Sequence, residues 1–243
     1  MPRAVTMVCR LCDTDRPLIK AHVVPEGFFR VFRDMQVFSN KRGAHPRRSP
    51  TGVYDKSILC QNCDNGFSPW DKHAQEVLLH DFSDETAIYY GARKIGWKIT
   101  RFDYRSLKLF FLSLLWRASV STHEFYRRIS IGPLEAELRA MIVNADPGVA
   151  ETFAVTLSRF DHPALRGMLD PHRERYDGVN YCRFYLAGFV AHIKVDRRPP
   201  PEFLSDLIIR DGMPIIVLLR NTLVSKDIAV MRDIARRSLK RGG

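Results

Sequence analysis

No segment of the sequence is long and apolar enough to suggest a membrane anchor. The most apolar run, LKLFFLSLLW from Leu107 to Trp116, has about half of the roughly 20 residues that a membrane-spanning helix needs. The first residues, MPRAVTMVCR, also lack the apolar core of a signal peptide. We therefore expect a cytoplasmic protein with no membrane partner.

Cysteine is scarce, since the 243 residues include only five. Thiols stay reduced in the cytoplasm, which argues against disulfides, and four of the five form two CxxC pairs. Two such pairs are typical of a structural zinc site, because each pair offers two adjacent thiolates to a tetrahedral ion. The predicted zinc ligands are Cys9, Cys12, Cys60 and Cys63. The fifth cysteine, Cys182, lies in the apolar segment NYCRFYL and is expected to be an ordinary buried thiol.

Acidic residues are in the minority: 38 Lys and Arg stand against 27 Asp and Glu, which gives a formal net charge of +11. This balance favours a polyanionic partner, most often nucleic acid, although a solvated basic surface would give the same numbers. The segment NKRGAHPRRSPTG, Asn40–Gly52, is predicted to be a loop. We expect it to contact phosphates in a sequence-independent way through Lys41, Arg42, Arg47 and Arg48. The C-terminal segment RRSLKRGG is a second candidate for such contacts.

Helical periodicity is weak before residue 66 and clear after it. A first helix is predicted to begin with Ser68 as its N-cap and Pro69 in its first position. The segment SDETAIYYGARK, with Ser83 as the cap, predicts a second helix. From Asp103 to about Ser119 we expect an apolar core helix in which Arg117 is a candidate for an ion pair.

The second half of the chain has a different character. PLEAELRAMIV predicts another helix, and the β-branched and aromatic residues of TFAVTLSRF, CRFYLAGFVAHIKV and MPIIVLL predict strands. SKDIAVMRDIARRSLKRGG, with Ser225 as the cap, predicts a basic amphipathic helix. We divide the chain into residues 1–82, a zinc-binding module, and residues 83–243, a helical and then α+β region of unknown role.

Two cysteine pairs around an AHVVP segment, with Asp64 and Asn65 directly after the second pair, resemble the zinc-containing HNH family, the ββα-metal nucleases. The resemblance covers roughly residues 9–75. It implies an α+β fold in which a zinc-stabilised ββα-metal, treble-clef-like N-terminal module precedes helices and a C-terminal mixed α/β region. In this family the zinc ties a β-hairpin to a helix and is not catalytic.

The resemblance also implies roles for individual residues. His22 of AHVVP would be the general base that deprotonates water, a task that suits the pKa of an imidazole. Asp55 stands where the family often has an asparagine that holds the base-bearing loop. Asp64 and Asn65 stand where a metal ligand or third motif residue is expected. A Mg²⁺ or Mn²⁺ ion held by such oxygens would neutralise charge at the phosphate.

Other residues near the motif carry weaker signals. Asp71 and His73, on the helix that follows the second cysteine pair, are further candidates for the ion. The position before the motif histidine, often an acidic ligand in the family, is Ala21 here. Ala21, and an aspartate at position 55, are departures from the family pattern that bear on whether the site is active.

Two functions from different classes are therefore open. The first is a metal-dependent endonuclease that hydrolyses phosphodiester bonds of nucleic acid, with DNA as the expected substrate. By analogy with the family, its expected context is defence against foreign DNA or a mobile element. Its C-terminal region would serve regulation, homo-oligomer assembly, a protein partner or target choice. The alternative is a catalytically inactive, zinc-stabilised module that binds nucleic acid or protein, with His22 as a core histidine. Ala21 and Asp55 favour the alternative, whereas His22 with Asp64 and Asn65 favours the enzyme, which is our first expectation.

Overall fold

The computed structural model describes residues 7–31, 36–39, 46–49, 51–162 and 167–239. Helices and sheets both contribute along the chain, so the predicted α+β class is confirmed. Among the described residues, no helix is long and apolar enough to cross a membrane.

Short strands dominate the first part of the chain. The elements are β1 Met7–Val8, β2 Asp15–Arg16, β3 Ala21–His22, α1 Gly27–Arg30, β4 Gln36–Phe38, β5 Arg47–Arg48 and β6 Tyr54–Asp55. Three antiparallel pairings hold them together: β1 with β2, β3 with β6, and β4 with β5. The β3–β6 pairing sets Ala21 opposite Asp55 and His22 opposite Tyr54, so two predicted site residues lie on adjacent strands.

The first long helix, α2, spans Gln61–Gln75 and continues into one π-helical stretch, Glu76–His80. Its N-cap is Cys60, so the prediction that Ser68 caps this helix is wrong. Ser68 and Pro69 lie inside the helix, because the chain already turns helical between the two cysteines of the second pair. Burial of Phe67 and Ala74 against the core outweighs the unfavourable proline.

The segment predicted as a helix after Ser83 is instead a β-hairpin. Ser83 caps only a short 3₁₀ turn, Asp84–Thr86, and the strands β7 Ala87–Tyr90 and β8 Arg93–Ile99 follow and pair antiparallel. Gly91 adopts a φ of 59° in the tight turn between them, a conformation that suits glycine and ends a helix. The run IYY favours strands because of its β-branched and aromatic side chains.

The two central helices agree with the sequence pattern. α3 spans Tyr104–Val120 with Asp103 as its N-cap, and α4 spans Leu134–Val143. The backbone N–H of Ser106 donates to Asp103 Oδ2 at 2.8 Å, which satisfies one of the unpaired donors at the start of α3. Residues 107–118 of α3 are all buried, as expected for a helix that is apolar on most sides.

The rest of the chain forms the large sheet and its flanking helices. The elements are β9 Val155–Phe160, β10 Gly167–Leu169, β11 His172–Tyr176, β12 Val179–Leu186, β13 Phe189–Lys194, α5 Glu202–Ser205, β14 Ile215–Arg220 and α6 Lys226–Leu239. Seven strands assemble in the order β11-β12-β13-β9-β14-β8-β7, antiparallel except for the β14–β9 pair. The predicted strands and the predicted C-terminal helix are confirmed.

Contacts between distant parts of the chain join the two predicted regions. β10 pairs in parallel with β4, and the resulting sheet has the order β10-β4-β5. Buried apolar residues on both sides of residue 82 belong to one hydrophobic cluster. Phe28 of α1, for example, stacks on Phe110 of α3 with 5.8 Å between ring centroids. The division of the chain at residue 82 stays a prediction, but the apolar core is continuous across it.

Candidate metal centre and adjacent cleft

The four cysteines of the two CxxC pairs converge. Their sulfur atoms all lie within 4.8 Å of one another, and the Sγ atoms of Cys12 and Cys60 are 4.0 Å apart. Four sulfurs placed about 2.3 Å from a tetrahedral zinc are separated by about 3.8 Å. The group of Cys9, Cys12, Cys60 and Cys63, called the cysteine centre below, can therefore hold a metal ion such as zinc.

Local backbone geometry sets the first cysteine pair. The N–H of Cys9 donates to Thr14 O at 3.0 Å, and the N–H of Asp13 donates to Cys9 O at 2.9 Å. These bonds close a tight turn in which Asp13 adopts a φ of 53°, a left-handed conformation that aspartate tolerates better than most residues. The turn brings Cys9 and Cys12 to the same side.

The second cysteine pair uses the start of α2. Cys60 is the N-cap and Cys63 lies in the first turn, where the helix macrodipole favours negative charge. The backbone N–H of Cys60 also donates to Cys9 Sγ at 3.4 Å. Both effects stabilise thiolates, which are the form of cysteine that binds a metal.

The electrostatics of the centre fit a divalent ion. Burial and the neighbouring sulfurs raise the pKa of the Cys63 thiol, whereas a hydrogen bond with Thr14 lowers the pKa of Cys12 to about 6. Thiolates packed this closely repel one another, so a bound cation is needed to deprotonate all four. Four sulfur donors in tetrahedral spacing are the donor set that zinc prefers.

An arginine from α4 braces the first cysteine turn. Arg139 donates to the carbonyl oxygens of Arg10 and Leu11 and to Asp13 Oδ2, the last at 2.5 Å and the first at 3.1 Å. The turn is thus held from outside by a residue 126 positions after Asp13. Sequence reasoning missed Arg139, because no local spacing relates it to the cysteines.

A second candidate site lies beside the cysteine centre. It is an open cleft of about 300 Å³ between β3, α2 and α3. Its described lining residues are His22, Pro25, Glu26, Gly27, Asp64, Ser68, Asp71, Lys72, Gln75 and Arg117. The cleft thus brings the predicted base His22 together with Asp64 and the weaker candidate Asp71.

His22 is half-buried and its ring is oriented by a single backbone contact. Its Nε2 lies 2.8 Å from Thr51 O. A carbonyl oxygen only accepts, so Nε2 carries the proton and Nδ1 is left as the basic nitrogen of the neutral ring. Gly52, with a φ of 83°, forms the turn that presents this carbonyl, and a Cβ there would lie 2.6 Å from the ring of Phe29. The ring of Tyr54 contacts His22 edge-on, with 6.0 Å between centroids.

Asp64 lines the same cleft as His22, and the charge of His22 affects its pKa. Burial raises its pKa, and the charge of Arg117 lowers it. The charge of Asp71 also raises the pKa of Asp64, and that of His22 lowers it. Burial is the largest of these effects, so the pKa of Asp64 lies above its usual value, and a cation in the cleft would favour its ionised form.

Arg117 is buried in α3 and holds the cleft together. Its guanidinium donates to both carboxylate oxygens of Asp71, at 2.7 and 3.0 Å, and to His22 O at 3.0 Å. It also lies over the ring of Phe67, 4.9 Å from the centroid. The predicted pairing of Arg117 is confirmed, and one side chain of α3 ties β3 to α2.

The other two predicted catalytic residues are placed elsewhere. Asp55 is buried, and its Oδ1 accepts from the N–H and hydroxyl of Ser57. Its Oδ2 accepts from the Ser121 hydroxyl and from the backbone N–H groups of Thr122 and His123. Asn65 is exposed and accepts a hydrogen bond from Gln61 at 2.8 Å. Neither Asp55 nor Asn65 is among the described residues that line the cleft.

The predicted phosphate-contacting loop is described in part. Lys41 and Arg42 lie outside the described residues. Arg47 and Arg48 form β5 and are exposed, and Thr51, the partner of His22, follows soon after them. Among the described residues, the four cysteines form the only group of three or more His, Cys, Asp or Glu side chains that could hold a metal.

Comparison with known proteins adds no family assignment. No protein-family model, no curated protein and no solved structure shows a significant match to this chain.

Proposed function

We propose that the protein is a metal-dependent endonuclease that hydrolyses phosphodiester bonds of nucleic acid, with DNA as its substrate. The observation that carries the proposal is the meeting of His22 and Asp64 in an open cleft beside the cysteine centre. An imidazole and a carboxylate at one cleft are the residue types that metal-assisted hydrolysis needs.

His22 has the role of general base in this proposal. With Nε2–H fixed on Thr51 O, Nδ1 accepts a proton from water, and the resulting imidazolium keeps its hydrogen bond to the carbonyl. The water oxygen attacks the phosphorus, and the bond from phosphorus to the sugar oxygen breaks. The leaving oxygen takes a proton from solvent water and becomes the hydroxyl group at the new end of the chain. Arg117 holds the backbone of His22 in place by donating a hydrogen bond to its carbonyl oxygen.

A divalent ion such as Mg²⁺ or Mn²⁺ would neutralise the developing charge on the phosphate when bound. Asp64 is the residue that would hold it, because both oxygens of Asp71 already accept from Arg117. A site with few protein ligands suits Mg²⁺, which usually keeps several waters and takes substrate oxygens. The zinc would be structural, since four thiolates leave no open coordination position.

Cleavage of plasmid DNA tests the proposal. Wild type and His22→Ala are incubated with DNA, and separately with RNA, with and without Mg²⁺ or Mn²⁺. We expect ion-dependent cleavage by wild type, and a loss of roughly 100-fold or more in His22→Ala with its zinc retained, as for removal of a positioned base. His80→Ala, an exposed histidine outside the cleft, is the matched control and should keep full activity.

The alternative, a catalytically inactive zinc-stabilised module that binds nucleic acid, is favoured by two observations. Asp71 is engaged by Arg117 and position 21 is alanine, which leaves few carboxylates for an ion. Binding of DNA without cleavage by wild type under all ion conditions would replace the enzyme with this alternative. Full activity of His22→Ala would remove His22 from the mechanism.

A further inference from the structure

We infer that β5 and α6 form one basic surface that binds the backbone of double-stranded DNA and delivers it to the cleft. The inference rests on the proposed function, because it concerns the substrate of the same site. The surface consists of Arg48 of β5 and the exposed residues of α6, Lys226–Leu239. It is called the basic platform below.

The fold brings these two segments together although they are far apart in the sequence. β4 pairs with β5 on one side and with β10 on the other, and neighbouring strands are about 4.8 Å apart, so β5 lies about 10 Å from β10. α6 packs on β10: a Cβ on Gly167 would lie 2.9 Å from Phe38 and 3.2 Å from Met231. The close approach at Gly167 packs α6 against the small sheet whose other edge strand is β5.

The charges of the platform complement phosphates. α6 buries Ile228, Met231 and Ile234 and exposes Arg232, Asp233, Arg236 and Arg237. Asp233 pairs with Arg237 at 2.6 Å. The other acidic residue of the helix, Asp227, is buried and forms ion pairs with Arg183 and Arg220, so its charge is not exposed to solvent. Arg48 of β5 pairs with Gln36 and points to the same face of the small sheet as Gly167 and α6, whereas Arg47 points to the other face. Because Lys226, Arg232 and Arg236 are exposed on α6, the described surface of the platform is positive.

The platform is connected to the cleft by a short piece of chain. Thr51, whose carbonyl accepts from His22, follows Arg48 by three residues. Three residues span at most about 11 Å. A duplex lying beside Arg48 therefore has phosphates within one helical turn, about 34 Å, of the basic nitrogen of His22.

The composition of the platform favours paired strands over single ones. Proteins that hold single-stranded nucleic acid expose aromatic side chains on which bases stack. Among the described residues of β4, β5 and α6, the aromatic Phe38 is buried and the exposed side chains are mainly basic and polar. Arginines without aromatic neighbours fit the phosphates of a duplex, whose bases are already stacked.

The experiment measures binding apart from cleavage. Full-length His22→Ala, which should bind without cutting, is titrated with a fluorescent DNA duplex at several salt concentrations. Two double variants in the same background are compared: Arg232→Glu with Arg236→Glu on α6, and, as a charge-matched control, Arg93→Glu with Lys98→Glu on β8. Zinc content and thermal melts establish that each variant is folded.

We expect the α6 variant to bind at least about ten-fold more weakly, with a salt slope lower by about 1.8, because each lost phosphate contact removes about 0.9. The β8 control should keep the affinity and slope of its parent. Single-stranded DNA and duplex RNA of the same sequence should bind more weakly than duplex DNA. In the active chain, the α6 substitutions should raise KM and leave kcat unchanged.

Three results would overturn the inference. They are an unchanged salt slope in the α6 variant, an equal loss in the β8 control, and tighter binding of single strands or duplex RNA than of duplex DNA. The proposed function would survive each of them if wild type still cleaves and His22→Ala does not. Conversely, wild type could bind DNA strongly through the platform and yet cleave nothing. This result would overturn the proposed endonuclease function and support the basic platform as a DNA-binding surface.

Discussion

Asp55 is a structural carboxylate in this fold rather than a residue of the cleft. Its two oxygens accept hydrogen bonds from Ser57 and from the segment Ser121–His123 just after α3. It thus fastens β6, the partner strand of His22, to the end of the core helix. This arrangement anchors the strand that pairs with Ala21 and His22.

Asp55→Asn should destabilise the protein in a pH-dependent way. Burial raises the pKa of Asp55, but the hydrogen bonds from Ser57 and Ser121 outweigh it and lower the pKa to about 2 from 3.8. A depressed folded-state pKa means that this stabilisation is complete above the unfolded value and is lost as the pH falls towards 2. We expect Asp55→Asn to cost about 1.5–3 kcal/mol at pH 7.

Urea denaturation between pH 7 and pH 2 measures this effect. The difference between wild type and Asp55→Asn should narrow below pH 4, while Asp81→Asn, an exposed control, should match wild type throughout. A constant difference down to pH 2 would contradict the assignment of the charged form of Asp55.

The residues of the cysteine centre and of the cleft differ in how clearly the sequence predicts them. His22, Asp64 and the four cysteines stand in short motifs whose spacing is itself the signal, and all of them lie at the cysteine centre or the cleft. Arg117 contacts His22 across 95 residues and Arg139 contacts Leu11 across 128. Such contacts depend on how α3 and α4 pack, which a local pattern does not encode. The sequence predicted that Arg117 is paired, but the partners of Arg117 and Arg139 were not predictable.

At the level of elements, the cysteine centre ties the β1–β2 turn to the start of α2. Cys12→Ser should release the metal and unfold this connection, because metal binding and folding are coupled in such small modules. We expect one zinc per wild-type chain by elemental analysis, and a zinc-free Cys12→Ser protein with a lower melting temperature after dialysis against a chelator. Cys182→Ser, a buried thiol far from the centre in sequence, should keep its zinc. Retention of a full zinc equivalent by Cys12→Ser would contradict a four-thiolate site.

Helix α4 contributes to the same centre from outside through Arg139. Arg139→Gln removes the bonds to Arg10, Leu11 and Asp13 and should weaken zinc binding about 10–100-fold, as loss of supporting groups around metal ligands usually does. Competition with a zinc-binding dye measures the change, and Arg127→Gln, an exposed control, should show none. Equal affinities of Arg139→Gln and wild type would show that the turn stands without its brace.

Element prediction succeeded where burial and propensity agree. α3 and the strands β9, β12, β13 and β14 are long apolar or β-branched segments, and both their type and their place were predicted. The start of α2 was misplaced, because Ser68 and Pro69 resemble a cap while the cysteine pair at 60 and 63 starts the helix earlier. The β7–β8 hairpin was missed, because Ser83 resembles the N-cap of a helix. Ser83 caps only a short 3₁₀ turn, and strands follow it.

At the scale of the whole molecule, residues 1–82 depend on the rest of the chain. Several residues that hold this region together lie after residue 82, namely Arg117, Ser121–His123 and Arg139. The aromatic core also continues past residue 82, since the ring centroids of Phe67 and Trp116 are 6.5 Å apart. A fragment of residues 1–82 would expose this core, leave Asp71 without Arg117, and leave Asp55 without the donors of Ser121–His123. We expect the isolated fragment to lack a cooperative thermal transition even with zinc, as followed by circular dichroism. A folded, zinc-bound fragment with a sharp transition would establish residues 1–82 as an independent domain.

The position of Arg117 also has a consequence during synthesis on the ribosome. His22 and Arg117 are 95 residues apart, and at about 5–20 residues per second the arginine is made roughly 5–20 seconds after the histidine. Until α3 leaves the exit tunnel, Asp71 and the carbonyl oxygen of His22 lack the arginine that donates to both of them. The cleft is therefore completed only late in translation, and we expect a nascent chain that ends before α3 to lack the cleavage activity proposed above.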